Sequence, residues 1–76
     1  MTLGEYRVGI SFNPGGSEMV NKIKQAAASL IDLCTTIPKP EDKESRAEVS
    51  RLIALAMTHI EDAAMWAVKA ATKPNI

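Results

Sequence analysis

The chain has little that could cross-link it or hold a metal. Its 76 residues include one cysteine, Cys34, and one histidine, His59. A single cysteine excludes a disulfide within the chain, and the missing Cys/His cluster excludes an ordinary zinc site. A domain of this size buries only about 60% of the surface that its unfolded chain exposes, so disulfides, a metal or oligomerisation usually supplement its stability. We therefore expect oligomerisation, with no cofactor and no metal.

Net charge and long hydrophobic runs are missing as well. Nine basic and nine acidic residues cancel, so no overall field favours duplex nucleic acid or an anionic membrane. Apolar runs stay shorter than the roughly 18 residues of a membrane span, because polar residues interrupt the best candidate: Thr58, His59, Glu61, Asp62 and Lys69. With no signal-peptide pattern either, we expect a soluble, cytosolic protein that binds any anion through local charges.

Two helical segments fill most of the chain. Apolar residues recur at alternating three- and four-residue steps in the first, which predicts an amphipathic helix over residues 17–36: Val20, Ile23, Ala27, Leu30 and Cys34. Ser17 is a natural N-cap, and Pro38 and Pro40 end the helix. A polar connection then leads to a second helix over residues 42–72, which Pro74 stops. The sequence predicts one domain, residues 1–76, folded as a two-helix antiparallel hairpin.

The second helix is apolar on most of its circumference. One row of residues faces a single side: Leu52, Ala56, Ile60, Ala63, Ala67 and Ala71. Further apolar residues lie on other sides: Leu55, Met57, Ala64, Met65, Trp66 and Val68. A helix of this kind is buried on most of its surface, and so short a chain has too few other elements to cover it. The missing cover must come from other copies of the protein.

Residues 1–16 form an arm and a turn. Tyr6, Val8, Ile10 and Phe12 alternate with polar residues or glycine, which is the periodicity of a strand. Because a lone strand is unstable, it would lie on a helix as an extended arm or pair with another copy. The predicted fold is therefore all-α, a hairpin with an extended N-terminal arm or a short helix, assembled as a homo-oligomer.

Catalytic residues are not indicated. His59 and Cys34 lack partners for a nucleophile–base pair. Glu61 and Asp62 are adjacent, but neighbours on a helix point about 100° apart and do not share a proton. We expect His59 to be structural or solvent-facing, Cys34 to be a small hydrophobic residue, and the protein not to be an enzyme.

Two segments favour an anionic ligand with flat rings. In the first, Phe12 and Asn13 precede the rigid turn Pro14–Gly16 at a helix start, where free amides bind anions, and Lys22 and Lys24 follow on the next turns. The alternative is a well-capped helix start with Phe12 in the core. In the second segment, Lys69 lies one turn beyond Met65 and Trp66, for which the alternative is interface packing with an extended lysine.

These residues carry a resemblance to a known family. The chain resembles the helical-hairpin domain of the phage anti-CBASS cyclic-oligonucleotide sponges, a hairpin shared with one family of Thoeris anti-defence proteins. Five segments carry the likeness over nearly the whole chain: Tyr6-Arg7-Val8, Ser11–Gly15, Val20–Lys24, Leu30-Ile31-Asp32 and Ile60–Thr72. The resemblance implies a homohexamer in the host cytoplasm. It would sequester cyclic dinucleotides and trinucleotides without cleaving them, so that nucleotide-activated effectors stay off.

The resemblance also implies the site residues. In that family the dinucleotide pocket lies between protomers, where an aromatic ring stacks on a base and a lysine meets a phosphate. The matching residues are Phe12, with Tyr6 as its rival, and Lys24, with Lys22 as its rival, beside Asn13 and Pro14. A trinucleotide site on the threefold axis uses basic and hydroxyl side chains of the hairpin, for which the candidates are Lys69, Arg51 and Thr58.

Two other functions remain open. A small helical protein–protein interaction or inhibitor module would present an exposed apolar patch to a foreign partner and have no nucleotide pocket. A cyclic-nucleotide phosphodiesterase would need metal ligands or an acid–base pair, for which only His59, Glu61 and Asp62 are at hand.

Overall fold

The protein is an all-helical hairpin with a short helix at its N-terminus. The computed structural model describes all residues, 1–76, and contains α1 (Leu3–Val8), α2 (Glu18–Cys34) and α3 (Lys43–Ala71). Helices α2 and α3 pack together as the hairpin, and α1 lies mainly on α2. With 29 residues, α3 is about 43 Å long and accounts for the elongated shape, which measures 52 × 26 × 12 Å. The predicted all-α hairpin is confirmed.

The strand predicted for Tyr6–Phe12 is wrong: its first three residues belong to helix α1, and a turn over residues 9–11 follows. Thr2 caps α1 by accepting a hydrogen bond from the backbone of Glu5, whose side chain accepts one from the Thr2 backbone. At the other end Gly9 has a φ of 64°, and the Gly9 and Ile10 amides donate to Tyr6 and Glu5. The reciprocal cap at Thr2 and the left-handed Gly9 define a helix of two turns. These end contacts favour the helix more than the alternation of apolar residues favours a strand.

Helix α1 docks closely on α2 because Gly4 has no side chain. The Gly4 amide donates to Asp32 Oδ1 at 2.7 Å, and a Cβ on Gly4 would lie 2.9 Å from the Cα of Ala28 and closer still to its carbonyl. A second link joins α1 to α3, where Arg7 Nε donates to Glu61 Oε1 at 3.1 Å. Together these contacts hold α1 against both helices of the hairpin.

The core of a single chain is thin. Helix α2 supplies most of it through one row of buried residues: Val20, Lys24, Ala28, Ile31 and Cys34. This row is turned relative to the predicted one, since Ile31 is fully buried whereas Leu30 is 48% exposed. On α3 only Ile53 and Ala64 are buried. Large apolar side chains stay exposed on both long helices: Met19, Leu30, Leu33, Leu52, Leu55, Met65 and Trp66.

The ends of the hairpin helices are capped by short polar side chains. Ser17 accepts from the Val20 amide at the start of α2, and Asp42 accepts from the Ser45 amide at the start of α3.

None of the three helices combines the length and hydrophobicity that crossing a bilayer requires.

Replacing Gly4 with alanine tests the docking of α1. The added methyl group overlaps the Ala28 backbone, so Gly4→Ala should reduce the free energy of unfolding by about 1–3 kcal/mol, the usual cost of overpacking. Thermal denaturation followed by circular dichroism measures this. Gly15→Ala is the matched control, because no atom lies within 4 Å of a Cβ at Gly15. Equal melting temperatures for the two variants would contradict the close packing of α1.

Candidate ligand-binding site

Two adjacent cavities lie where α1, the loop after it and the two long helices meet. The first lobe, of about 430 Å³, lies between Arg7, Glu61 and Lys69. The second lobe, of about 360 Å³, lies beside the loop Phe12–Gly15. Three residues line both lobes: Lys24, Val68 and Thr72. Because of this shared wall we treat the two lobes as one ligand groove.

Lys24 lies at the centre of the groove and holds the loop in place. Lys24 is buried, with only 7% of the residue exposed. The ammonium group donates to the carbonyl of Gly9 at 2.8 Å and to the carbonyl of Phe12. Buried ammonium groups are tolerated where hydrogen bonds replace those to water. The third of its N–H donors has no hydrogen-bond partner within the protein.

Phe12 stands at the edge of the second lobe rather than in the core. The residue is 73% exposed, so the alternative that Phe12 packs inside the chain is wrong for the single protomer. The Lys24 ammonium lies 5.5 Å from the centre of the Phe12 ring, within the range of a cation–π contact. The ring is therefore oriented by Lys24 while most of its surface is free to contact another flat group.

Asn13 builds the loop through its amide side chain. Its Oδ1 accepts from the Ser17 amide at 3.2 Å, and its Nδ2 donates to the Ser17 carbonyl at 2.8 Å and to Asn21 Oδ1 at 3.0 Å. These bonds close the turn that carries the exposed Pro14. Asn13 and Pro14 thus shape the wall of the second lobe, with the Asn13 amide already engaged by protein atoms.

The first lobe has an apolar floor and a charged rim. Val8, Ala64, Met65 and Val68 contribute apolar surface. Arg7 and Lys69 lie on the rim with Glu61, and the Lys69 ammonium lies 5.3 Å from the centre of the exposed Trp66 ring. The lobe can therefore receive a molecule that has both an apolar face and negative charge.

Comparison with known proteins decides the family. The model of the family described as "Acb2/Tad1, hairpin domain" matches residues 5–72. This chain belongs to the Acb2/Tad1 hairpin-domain family. The resemblance inferred from the sequence is confirmed, and the family supports a role in phage anti-defence. No curated protein and no solved structure matches the chain significantly.

The Acb2/Tad1 match covers every residue of the groove named above. It starts within α1, upstream of Arg7, and ends at Thr72, which lines both lobes. Sequence reasoning missed Arg7 and Thr72 as groove residues, because the predicted strand gave Arg7 no position relative to α3. The signal was the capping box Thr2–Glu5 followed by Gly9, which marks a helix whose last turn carries Arg7.

The other candidate residues of this Acb2/Tad1 hairpin lie outside the groove of one chain. Tyr6 and Lys22 are exposed and line neither lobe. Thr58 and Arg51 precede Lys69 on α3 by about 16 and 27 Å along the helix axis, and all three are exposed. Spacings of seven and eleven residues place them on one side of the helix.

Arg51 and Asp62 each have a hydrogen-bond partner about one turn away on α3. Arg51 donates twice to the Glu48 carboxylate at 2.7 Å. These hydrogen bonds raise the pKa of the Arg51 guanidinium and lower the pKa of Glu48. Asp62 accepts from the Trp66 indole at 3.2 Å. No group of three or more His, Cys, Asp or Glu residues is placed to hold a metal ion.

Replacing Lys24 with methionine tests its structural role. Lys24→Met keeps the apolar stem but leaves the carbonyls of Gly9 and Phe12 without this donor, which should cost about 1–3 kcal/mol of unfolding free energy. Chemical denaturation of both variants measures the change, with Lys22→Met, at an exposed position on the same helix, as the control. A Lys24→Met protein as stable as the control would show that the ammonium does not hold the loop.

Proposed function

We propose that this protein is a phage sponge for cyclic oligonucleotide signals. It binds cyclic dinucleotides and trinucleotides in the cytoplasm of the infected host without degrading them, and so prevents activation of CBASS effectors. The observation that carries the proposal is the exposed ring of Phe12 beside a groove that holds three cationic side chains, Arg7, Lys24 and Lys69, in a chain with no net charge. Membership of a phage anti-defence family supports it.

The second lobe suits a nucleotide base and the shared wall suits a phosphate. A base stacked on the exposed ring of Phe12 would contribute about 1–3 kcal/mol. The free N–H of Lys24 lies on the wall between the lobes, where it can donate to a phosphate oxygen next to that base. Asn13 and Pro14 line this lobe, and the hydrogen bonds of Asn13 hold the loop that carries Phe12.

A second copy of the chain would complete the groove. Each lobe is near the lower end of the roughly 300–1,000 Å³ typical of ligand pockets, and both are open to solvent. A symmetric cyclic dinucleotide has two equivalent halves, so a pocket made by two copies related by a twofold axis matches it. Tyr6 and Lys22 would reach such a ligand only from the neighbouring copy.

The exposed apolar side chains of both long helices support assembly. Leu30 and Leu33 of α2 and Leu52 and Trp66 of α3 are each about half exposed or more, and burial of these side chains against other copies would stabilise an assembly. We propose the homohexamer as the functional form. Lys69, Thr58 and Arg51 share one side of α3, where copies around a threefold axis would bring equivalent side chains together for a trinucleotide.

The same exposed apolar surface favours one other function, a module that docks a foreign protein. That function needs no nucleotide in the groove and gives Phe12 no role in ligand binding. The two functions therefore differ in what a change at Phe12 does.

Replacing Phe12 with alanine separates these functions. In a sponge, Phe12→Ala removes base stacking and weakens cyclic dinucleotide binding by about 1–3 kcal/mol. Because the side chain is largely exposed, the melting temperature and the oligomeric mass should stay unchanged. Calorimetric titration measures affinity, light scattering measures mass, and Phe12→Tyr, which keeps a stacking ring, is the control. Unaltered affinity in an intact Phe12→Ala assembly would remove Phe12 from the site.

The ligand should be recovered unchanged from the complex. The groove contains no pair of free acid and base groups, since Glu61 is engaged by Arg7. After prolonged incubation with stoichiometric protein and heat denaturation, chromatography should return the intact cyclic dinucleotide. A linear dinucleotide, formed in proportion to protein and absent from a buffer control, would instead establish a phosphodiesterase.

A further inference from the structure

The cationic side chains that line the first lobe outnumber its carboxylates. Three cations and one carboxylate line it, which leaves two uncompensated positive charges in a protein whose total charge is zero. Lys24 gives two of its donors to backbone carbonyls, and Lys69 lies over the Trp66 ring. Arg7 is therefore the cation of this lobe with the most donors still available.

The free donors of Arg7 are at the end of its side chain. Its Nε donates to Glu61 Oε1, and neither terminal nitrogen has a protein acceptor within hydrogen-bonding distance. The side chain is 29% exposed, and no buried side-chain nitrogen or oxygen lacks a partner, so these terminal nitrogens reach solvent. A guanidinium fixed at one nitrogen and open at the other two has the fork geometry that binds two oxygens of one phosphate.

We propose that Arg7 is a phosphate-binding residue of the groove and that Glu61 positions its guanidinium. The inference deepens the proposed function and rests on it. The base lies at Phe12 in the second lobe, and the phosphate lies beyond the shared wall at Lys24, where Arg7 faces it from the first lobe. The apolar floor formed by Ala64 and Val68 receives the sugar on the same side. Glu61 fixes the guanidinium through Nε and leaves the two terminal nitrogens for the ligand.

The sign of the effect at Glu61 distinguishes phosphate binding from a merely structural ion pair. If Arg7 only joins α1 to α3, neutralising either partner removes the same ion pair, and both changes lower stability and affinity together. If Arg7 binds phosphate, Arg7→Gln weakens binding whereas Glu61→Gln does not, since Glu61→Gln removes a negative charge near the phosphate and keeps an acceptor for Nε. The double variant then regains stability without regaining affinity.

Calorimetric titration tests the proposal. Cyclic di-GMP, cyclic di-AMP and cyclic GMP–AMP are first titrated into the unmodified protein, and the one that binds most tightly is then used for every variant. Loss of a charge-assisted phosphate contact should raise the dissociation constant of Arg7→Gln roughly 10- to 100-fold and reduce the dependence of affinity on salt. Arg7→Lys keeps the positive charge but loses the forked guanidinium, so its affinity should fall between that of the unmodified protein and that of Arg7→Gln. Arg46→Lys is the matched control, because Arg46 bonds the Pro40 carbonyl far from the groove. Melting temperatures are recorded for every variant.

Three outcomes overturn the inference. Binding by Arg7→Gln as tight as that of the unmodified protein overturns the role of Arg7 alone. Parallel losses of affinity and melting temperature in Arg7→Gln and Glu61→Gln, both restored in the double variant, reduce the pair to a structural contact. Failure of the folded, unmodified protein to bind any of the three probes overturns the proposed function, and the inference falls with it.

Discussion

The buried ammonium of Lys24 is the interaction on which the groove depends. It lies in the middle of α2 and binds the carbonyls of Gly9 and Phe12, which ties the end of α1 and the following loop to the hairpin. The same nitrogen faces the Phe12 ring and forms part of the wall between the two lobes. One side chain thus sets the loop conformation, the position of the aromatic ring and the charge at the centre of the site.

This arrangement explains why a lysine occupies a core position. An apolar residue would pack there as well, but it would leave two carbonyls of the loop without a donor. The ammonium satisfies them, and in the proposed site its remaining N–H would serve the ligand, so stability and binding would draw on the same group. The core around Lys24 is small, since only eight residues of the chain are buried. In the proposed assembly, other copies would add to this core, and a ligand held between copies would stabilise the assembly further.

Much of the fold could be predicted from the sequence, because the two long helices have clear caps, apolar periodicity and prolines after them. The short helix could not be predicted from periodicity, since two turns show no reliable period and Tyr6 to Phe12 happens to alternate. Its boundaries depend on Thr2, Glu5 and Gly9, whose hydrogen bonds are local. With α1 placed wrongly, the relation of Arg7 to Glu61 could not be inferred.

The candidate site was predictable in part for a similar reason. Phe12, Asn13 and Pro14 line the second lobe because they belong to one loop, Lys24 lines it because it binds that loop, and Lys69 lines the first lobe. The contact of Arg7 with Glu61 joins distant segments and follows from how α1 lies against α3; likewise, Thr72 lines the same lobe as the loop only because of how the helices pack. Amphipathic spacing determines which side of a helix is buried, but here it placed Leu30 inside where the structure places Ile31.

The central claim is that an assembly of this chain captures an intact cyclic nucleotide. Native mass spectrometry with and without a panel of cyclic dinucleotides and trinucleotides tests it most directly, because one spectrum reports the number of chains and the mass of the ligand. The account predicts a hexamer that gains the full mass of the cyclic dinucleotide, one for every two chains. A spectrum of single chains that gain no ligand mass at saturating nucleotide would contradict it.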